Sequence, residues 1–482
     1  MQKLTWLVAA IAGLSTACGD VKGTPLADAP PLTVDAPPPV DGAPVPDAPP
    51  GPVRVTVLTL AGDGAADLTA KVIFQNPDGS LIAEGTVDAM GKAQALMPLG
   101  GTVSAIRVGI DNVDQRTAQI TSTLGVKPGD EITLGLPPPQ TPLAGGAQTT
   151  MTANFTPIPE AETVVFSTSC GVPTGSTVDP VKGVATLVFR DSCHGPTFDL
   201  LGIASGGRLL APRFLKLTRI THAGGTSFTI PSEFAATASF AVNLSNIPDV
   251  ISNLTVSRSS MIEGTPVAPQ TSAAVDPPAG ALTATVPYPP AFGTRCEVAV
   301  SLNRPETRFA QRHEVRTSTL ASSIDVDVGS LAVPWLTNVV ATTTGMTWAA
   351  VDGATPGDGM LTQWSGRWLD GNRTVSVIWR VIQPVTATGM TLPALPVADA
   401  AFDPGQQTVA VTPLLSVVLA SDYSNVAGYD ELRRLPEALL ISSMSTLGAF
   451  RNEPFQRRTF AALTSQGLVG VRPEDVIAAP RR

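Results

Sequence analysis

Short runs of alternating residues, separated by glycine and proline, constrain the fold of this chain more than any other feature. The clearest run is Val53 to Leu60, in which valines occupy positions 53, 55 and 57. This period of two is typical of a strand with one buried face. The sequence also contains 43 glycines and 45 prolines, which favour turns between strands. We therefore predict a mainly β fold built from many short strands.

Length and charge set two further limits. A chain of 482 residues exceeds what one hydrophobic core usually supports, so several modules are expected. The formal net charge is -9, and no stripe of lysine and arginine is present that would neutralise phosphates. We therefore expect no nucleic-acid partner.

The N-terminus has the features of an export signal. Lys3 precedes an apolar stretch from Leu4 to Leu14, and three small residues then lead to Cys18. The apolar stretch is shorter than the roughly 20 residues that a transmembrane helix needs. Residues 1–17 are therefore predicted to be a signal peptide.

The residues before Cys18 resemble the lipobox of bacterial lipoproteins. The segment Leu14-Ser15-Thr16-Ala17-Cys18 places small residues before the cysteine, although that family prefers leucine where Ser15 stands. The resemblance implies that the Cys18 thiol is diacylated and that Cys18 becomes the new N-terminus. The same small residues also fit the general signal peptidase, so cleavage without lipidation is the alternative.

Residues 18–52 read as a low-complexity spacer in which Asp-Ala-Pro-Pro recurs at 28–31, 35–38 and 47–50. Because proline fixes φ and removes backbone donors, we predict a disordered stalk in the polyproline II conformation, on the order of 100 Å long. Lipobox and spacer together resemble surface lipoproteins of Gram-negative bacteria. The resemblance implies an outer-membrane lipoprotein that faces the periplasm or the cell surface, with the membrane as a partner through the lipid anchor.

The region after the spacer contains an ordered set of strand and turn signals. Ala70–Phe74 predicts a strand, Asn76-Pro77-Asp78-Gly79 predicts a turn, and Thr86-Val87-Asp88 leads through Gly91 to Ala93. This order resembles the carboxypeptidase regulatory-like and bacterial immunoglobulin-like domains of extracellular proteins. The resemblance implies a β-sandwich.

The same signals recur further along the chain. Thr177-Val178-Asp179 is followed by Gly183 and Ala185, and Val275-Asp276 with Gly280 is a weaker copy. A spacing of about 90 residues is near the size of one immunoglobulin-like sandwich. We therefore predict tandem immunoglobulin-like β-sandwich modules: a first at 53–142, a second at 143–245, a third β-rich module at 246–333, and a tryptophan-containing β-rich C-terminal domain with a short helix at 334–482.

Cys170 and Cys193 adjoin three predicted strands, at 163–169, 174–179 and 184–190. In a meander of these strands both thiols fall at the same end, and export to an oxidising compartment favours a disulfide between them. Such a disulfide is expected to contribute roughly 3 kcal/mol. The remaining cysteine, Cys296, is predicted to be a buried thiol.

Five of the six tryptophans lie between Trp335 and Trp379. Strands at 360–369 and 373–382 around Asp370-Gly371-Asn372 predict a hairpin with Trp364, Trp368 and Trp379 on one apolar face. Two interpretations stay open: a row of rings that stacks on glycans, and the inner face of a sandwich core. Further along, the residues from 429 to 440 predict a short surface helix interrupted by a proline.

Catalytic signals are weak. The three histidines, His194, His222 and His313, lack any recognisable motif, and no nucleophile elbow, phosphate loop, dinucleotide fingerprint or Cys-x-x-Cys pair occurs. Three aspartates lie on glycine-rich turns near the tryptophans, where calcium ligands can occur, but their spacing fits no EF-hand and favours solvated turns. These are Asp352, Asp358 and Asp370.

These features favour an exported, lipid-anchored protein with a non-catalytic binding, adhesion or structural role. No cofactor and no metal are predicted, and the further partner is a glycan or a protein at the cell surface. One alternative is a carbohydrate-binding protein that uses the tryptophan face. The other is an extracellular polysaccharide or peptide hydrolase, which needs two carboxyl groups about 5 to 10 Å apart in a cleft.

Overall fold

The computed structural model divides the chain into two units, Met1–Pro50 and Gly51–Arg482, and the residues that it describes lie in the second. The described residues are 53–60, 66–112, 115–135, 149–168, 177–189, 197–221, 223–262, 265–275, 277–290, 295–304, 310–318, 321–351, 353, 357–385, 388–424, 426–437, 440 and 457–464. The fold is mainly β, as the sequence predicts, and it contains tandem β-sandwich modules.

The first sandwich consists of seven strands: β1 (Val53–Leu60), β2 (Lys71–Gln75), β3 (Leu81–Thr86), β4 (Lys92–Met97), β5 (Gly101–Asn112), β6 (Gln115–Val126) and β7 (Glu131–Gly135). One sheet has the order β4-β1-β7, and the other begins β3-β2-β5-β6. Strand β1 pairs antiparallel with β4 and parallel with β7. The alternation along β1 determines which side chains enter the core. Val55 and Val57 are fully buried, whereas the neighbouring Arg54 is exposed.

The second sandwich consists of β8 (Thr149–Asn154), β9 (Thr163–Thr168), β10 (Thr177–Asp179), β11 (Val184–Phe189), β12 (Thr197–Ser205), β13 (Arg213–Thr221), β14 (Ser227–Thr229) and β15 (Ala235–Ala236). Its sheets have the orders β10-β11-β8-β14 and β15-β13-β12-β9. The predicted strands near the two cysteines are present, but they do not form a meander. Strand β9 pairs with β12 in one sheet, whereas β10 and β11 lie in the other.

The third sandwich consists of β16 (Ala238–Ile247), β17 (Asn253–Ile262), β18 (Thr265–Val275), β19 (Gly280–Tyr288), β20 (Arg295–Asn303), β21 (Ala310–Ser318) and β22 (Ser323–Asp327). The strand order repeats that of the first sandwich, with β19-β16-β22 in one sheet and β18-β17-β20-β21 in the other. Because β16 pairs with both β19 and β22, it belongs to this sandwich. The predicted boundary at residue 245 therefore lies inside a strand of the third sandwich.

The repeated glycine signal marks the same place in each sandwich. Gly91, Gly183 and Gly280 all have positive φ, and each stands at the start of the fourth strand of the repeated order. The Gly91 and Gly183 carbonyls accept hydrogen bonds from Thr59 and Phe155, at 2.9 and 2.8 Å. The sequence repeat thus corresponds to a repeated turn that contacts the first strand of its sandwich.

The C-terminal region contributes β23 (Trp335–Thr342), β24 (Gly345–Val351), β25 (Gly359–Asp370), β26 (Arg373–Gln383), β27 (Gly389–Thr391), two short 3-10 helices (Val397–Phe402 and Pro404–Gln406), β28 (Thr412–Tyr423), α1 (Tyr429–Leu432) and β29 (Arg457–Thr464). Strands β25 and β26 form the predicted hairpin, with Trp364 opposite Trp379. The predicted helix from 429 to 440 begins as α1, and helical residues return at Glu437 and Leu440 after the interruption at Pro436. Asp430 and Glu431 of α1 are exposed as expected, whereas Leu432 and the following Arg433 are each 1% exposed, so one side of this segment packs against the interior.

Strands of the C-terminal region join the first and third sandwiches into one sheet. Its twelve strands have the order β18-β17-β20-β21-β29-β28-β25-β26-β6-β5-β2-β3. Strand β26 pairs in parallel with β6, and β29 pairs antiparallel with β21. A parallel pair is usually covered on both faces. Here Ile120 of β6 packs into the core shared with the third sandwich and the tryptophans, while Val126 packs into the core of the first sandwich.

The second sandwich is the exception to this continuity. Its strands form two sheets of their own, and its core residues form a separate cluster. The four predicted modules are therefore not four independent units. The first sandwich, the third sandwich and the C-terminal region share a sheet, whereas the second sandwich has a core of its own.

Candidate functional site

Several residues that the sequence analysis singled out lie outside the described residues. They include Cys18, Cys170, Cys193, His194 and His222. Lipidation of Cys18 and the disulfide between Cys170 and Cys193 therefore stay predictions.

The three tryptophans of the predicted face are core residues. Trp364 and Trp379 are fully buried, and Trp368 is 3% exposed. The indole N–H of Trp364 donates to the Thr342 carbonyl at 2.9 Å, and that of Trp379 donates to Ser122 Oγ at 2.9 Å. Rings in this position present no face on which a sugar can stack. The inner-face interpretation fits their placement, and the glycan-binding row at these three residues does not.

The other candidates have structural surroundings. The Asp358 carboxylate accepts from the backbone N–H groups of Tyr423 and Gly428, at 2.7 and 2.9 Å. Asp370 forms a distant ion pair with Arg116 at 3.8 Å, and Asp352 lies outside the described residues. Cys296 is a fully buried free thiol, as predicted. Within the described part of the chain, no group of three or more His, Cys, Asp or Glu side chains is arranged to hold a metal ion.

The strongest cluster of ionisable side chains lies where the first sandwich meets the C-terminal region. We call it the junction cluster and define it as Asp130, Arg380, Tyr429, Arg433 and Glu437. Asp130 ends the turn between β6 and β7, Arg380 lies on β26, and the other three lie on α1 or just after it. The parallel pairing of β6 with β26 brings these segments together.

Asp130 is the acceptor at one end of the junction cluster. Its carboxylate accepts from Arg433 Nε at 2.7 Å, from Arg434 Nη2 at 2.9 Å and from the Lys127 backbone N–H at 2.8 Å. Burial opposes ionisation of Asp130, but these charged and backbone donors outweigh it and hold its pKa below the ordinary value. The Arg433 and Asp130 side chains are both fully buried, so this is an interior ion pair.

Glu437 is the acceptor at the other end. Its Oε1 accepts from Thr121 Oγ1 at 3.0 Å and from Arg380 Nη1 at 3.5 Å, and Arg380 Nε donates to Gln363 Oε1 at 3.0 Å. Burial raises the pKa of Glu437 to about 7, and the Arg380 charge and the Thr121 hydroxyl limit the rise. Glu437 is therefore the carboxyl group of the junction cluster that changes charge near neutral pH.

Tyr429 contacts both strands of the β6–β26 pair. Its hydroxyl oxygen lies 2.6 Å from the Leu124 carbonyl oxygen of β6 and 2.9 Å from the Ile382 carbonyl oxygen of β26. Burial raises the pKa of Tyr429 well above its ordinary value, so the phenol keeps its one proton, which the two carbonyls share. The junction cluster thus fastens the segment that starts at α1 across the β6–β26 pair.

Sequence reasoning did not find the junction cluster. The sequence predicts that Arg433 belongs to a surface helix, and its partner Asp130 stands 303 positions earlier in the chain. Arg380 interrupts the apolar run from Val377 to Ile382, which is the one available signal of an interior ion pair.

Comparisons with known proteins add little to this geometry. No protein-family model matches the sequence, and no curated protein matches it. Among solved structures, the Bacillus anthracis TIE protein has 11% identity and a TM-score of 0.15 over 57% of this chain and 50% of that chain. The native conformation of E. coli alpha-2-macroglobulin has 12% identity and a TM-score of 0.11, over 74% of this chain and 26% of that one. The match spans half or less of these structures' length, and scores this low carry no argument about fold or function.

Among the helices in the described ranges, none has both the length and the apolar character needed to cross a bilayer.

Proposed function

We propose that this protein is an exported, lipid-anchored protein of the bacterial cell envelope, with a binding, adhesion or structural role and no catalytic one. The observation that supports a non-catalytic role is that ionisable groups with shifted pKa values form bonds within the fold. Asp130, Glu437 and Tyr429 are buried or bonded between segments of the fold, and each contributes to cohesion at the β6–β26 pair. Groups with shifted pKa values often mark active sites, but interior ion pairs shift them as well.

The address in this proposal is supported by the sequence. The small residues before Cys18 and the proline-rich spacer to residue 52 suit a module carried away from a membrane surface. The partner would be a glycan or a protein that meets the displayed sandwiches. A glycan partner would bind away from Trp364, Trp368 and Trp379, because these rings are buried.

The anchor is tested by the mass of the mature N-terminal peptide from membrane and soluble fractions of the native cell. We expect a diacylated Cys18 in the membrane fraction, and we expect the Cys18→Ala variant to lose both the lipid and the membrane association. Cys296→Ala is the matched control, because it removes a buried thiol that the proposal does not use. An unmodified N-terminus in the medium would refute the anchor.

The non-catalytic role is tested separately, on the purified protein with panels of cell-wall polysaccharides and peptides. We expect the masses of these substrates to stay unchanged under conditions in which binding is detected. Cleavage that persists through purification and is abolished by Glu437→Gln, while the variant stays folded, would contradict the proposal and place a reactive carboxyl group in the junction cluster.

A further inference from the structure

An arginine side chain lies inside the third sandwich. Strand β17 points Leu254 and Val256 into the core, and the period of two places Arg258 on the same inward face. Arg258 is 1% exposed. A position that alternation assigns to an apolar residue is therefore occupied by a permanent positive charge.

The guanidinium group is stacked between aromatic rings, and the one side chain that hydrogen-bonds to it among the described residues is that of Cys296, a weak acceptor. Its Cζ lies 3.9 Å from the centroid of the Tyr288 ring and 5.0 Å from that of Phe240. Among the described residues, no oxygen or nitrogen atom accepts a hydrogen bond from its Nε, Nη1 or Nη2. Ring faces stabilise the cation but do not replace acceptors for five N–H groups.

Within the described ranges, no carboxylate acts as a counter-ion for Arg258. Burial lowers the pKa of Arg258, and the groups that oppose this shift are the thiol of Cys296 and the phenol of Tyr288. Burial also raises the pKa of the Cys296 thiol and outweighs the opposing effect of the nearby guanidinium. The thiol is therefore neutral. Among the residues that the structure describes, the charge of Arg258 is therefore not matched by a permanent negative charge.

A second unpartnered donor lies two positions further along the same strand. Ser260 follows two positions after Arg258 on the same face of β17, is 2% exposed, and its Oγ has no hydrogen-bond partner among the described residues. Ser260 pairs in register with Cys296 of β20. Arg258 and Ser260 thus place several hydrogen-bond donors and one positive charge together between the two sheets.

Buried donors without acceptors and buried charges without counter-ions are among the least favourable arrangements in a protein interior. An anion would remove both penalties at once. We propose that Arg258 and Ser260 bind one small monovalent anion of the halide class, such as chloride, inside the third sandwich. The surroundings favour a halide over a phosphate or sulfate, because Phe240, Tyr288 and Val256 supply apolar walls and too few donors for a multiply charged oxyanion.

The proposal is tested on the full chain, purified and dialysed into sodium gluconate. Chloride or bromide is then added at constant ionic strength while thermal unfolding is followed. We expect a saturable rise in the Tm of the transition that includes the third sandwich. At an anion concentration one hundred times the Kd, the unfolding equilibrium constant of that unit should fall by about a hundredfold.

Two variants connect the effect to this place. Arg258→Met should abolish the halide dependence, and Ser260→Ala should raise the apparent Kd. Arg295→Met is the matched control, because Arg295 begins β20 in the same sandwich with an exposed side chain and should leave the dependence intact. An equal halide dependence in Arg258→Met and in the wild type would overturn the proposal.

A direct measurement covers the case in which Arg258→Met does not fold. The ³⁵Cl NMR line of chloride should be broadened by the wild-type protein, and bromide should reverse the broadening by competition. A chloride line no broader than that seen with unfolded protein, together with a Tm that chloride changes no more than gluconate does, would overturn the proposal without any variant.

Discussion

At the scale of single residues, the interior charges of this protein pair segments that are distant in the chain. Asp130 of the first sandwich accepts from Arg433, which follows α1, and both side chains are fully buried. Removing one member of such a pair leaves the other charged and without a partner, which costs far more than the pair itself contributes. The junction cluster is therefore a sensitive point for stability.

Asp130→Asn should destabilise the fold by about 3 kcal/mol or more, because the buried Arg433 loses its charged acceptor. Chemical denaturation monitored by tryptophan fluorescence measures this change, since five of the six tryptophans lie in the core to which β6 and β26 contribute. Asp430→Asn is the control. Asp430 also pairs with Arg433 but its side chain is 52% exposed, so its loss should cost clearly less. An equal loss of unfolding free energy in the two variants would contradict the claim that the buried ion pair is the more important one.

Glu437 predicts the direction of a pH effect. Its pKa is raised to about 7 in the folded protein, so the folded state holds the proton more tightly than the unfolded state does. The stabilising contribution is complete below the ordinary glutamate pKa and is lost as the pH rises through about 7. The loss is at most about 3 kcal/mol over this window.

The measurement is the free energy of unfolding at a series of pH values between 4 and 8, in wild type and in Glu437→Gln. The variant should lack most of the decline, although Asp358, whose pKa burial also raises, should leave a smaller slope of the same sign. Glu131→Gln is the control, because Glu131 is exposed at the start of β7. A stability that rises with pH across this window would show that the sign is wrong.

At the scale of elements, local signals predicted strands and turns well, and pairing between distant strands poorly. Strand β1 and the β25–β26 hairpin occupy the predicted places, because alternation and the turn at Gly371 specify them within a few residues. The parallel pairing of β6 with β26 has no local signal, since either strand could serve as an edge. For the same reason the position of Arg433 could not be predicted, because its burial depends on this pairing.

The repeated glycine turn gives a prediction at this scale. In Gly183→Ala the new Cβ would lie 2.1 Å from the Phe155 carbonyl oxygen, and the positive φ adds strain. Gly225→Ala in the same sandwich has a similar φ of +72° but open space around the Cβ. Gly183→Ala should lower the Tm of the second sandwich much more than Gly225→Ala does. The Gly225→Ala variant should lose about 1 kcal/mol of unfolding free energy. Similar Tm values for the two would show that the close contact is relieved by a small shift of the turn.

At the scale of the whole molecule, cohesion is uneven. The second sandwich has its own sheets and core, whereas the other three regions share a twelve-stranded sheet. Cooperative units tend to follow shared cores. A defect in the shared core should therefore spread across three regions, and a defect in the second sandwich should stay local.

Hydrogen exchange measured by mass spectrometry tests this division. Leu200→Ala removes a fully buried side chain of the second core and should increase exchange within residues 149–236 while leaving β2, β20 and β26 protected. Trp379→Ala should increase exchange in both β6 and β28, because its ring lies in the shared core. Increased exchange throughout the molecule in Leu200→Ala would contradict separate units.

The pairing of β6 with β26 has a consequence for the order of assembly. Strand β6 belongs to the first sandwich, but its outer partner is made only after the second and third sandwiches. Until then the N-terminal sandwich has an open strand edge, and open edges invite pairing with other chains. Contacts between segments so distant in sequence also form slowly. A growing chain therefore needs either rapid completion or a chaperone that covers β6 until the last strands arrive.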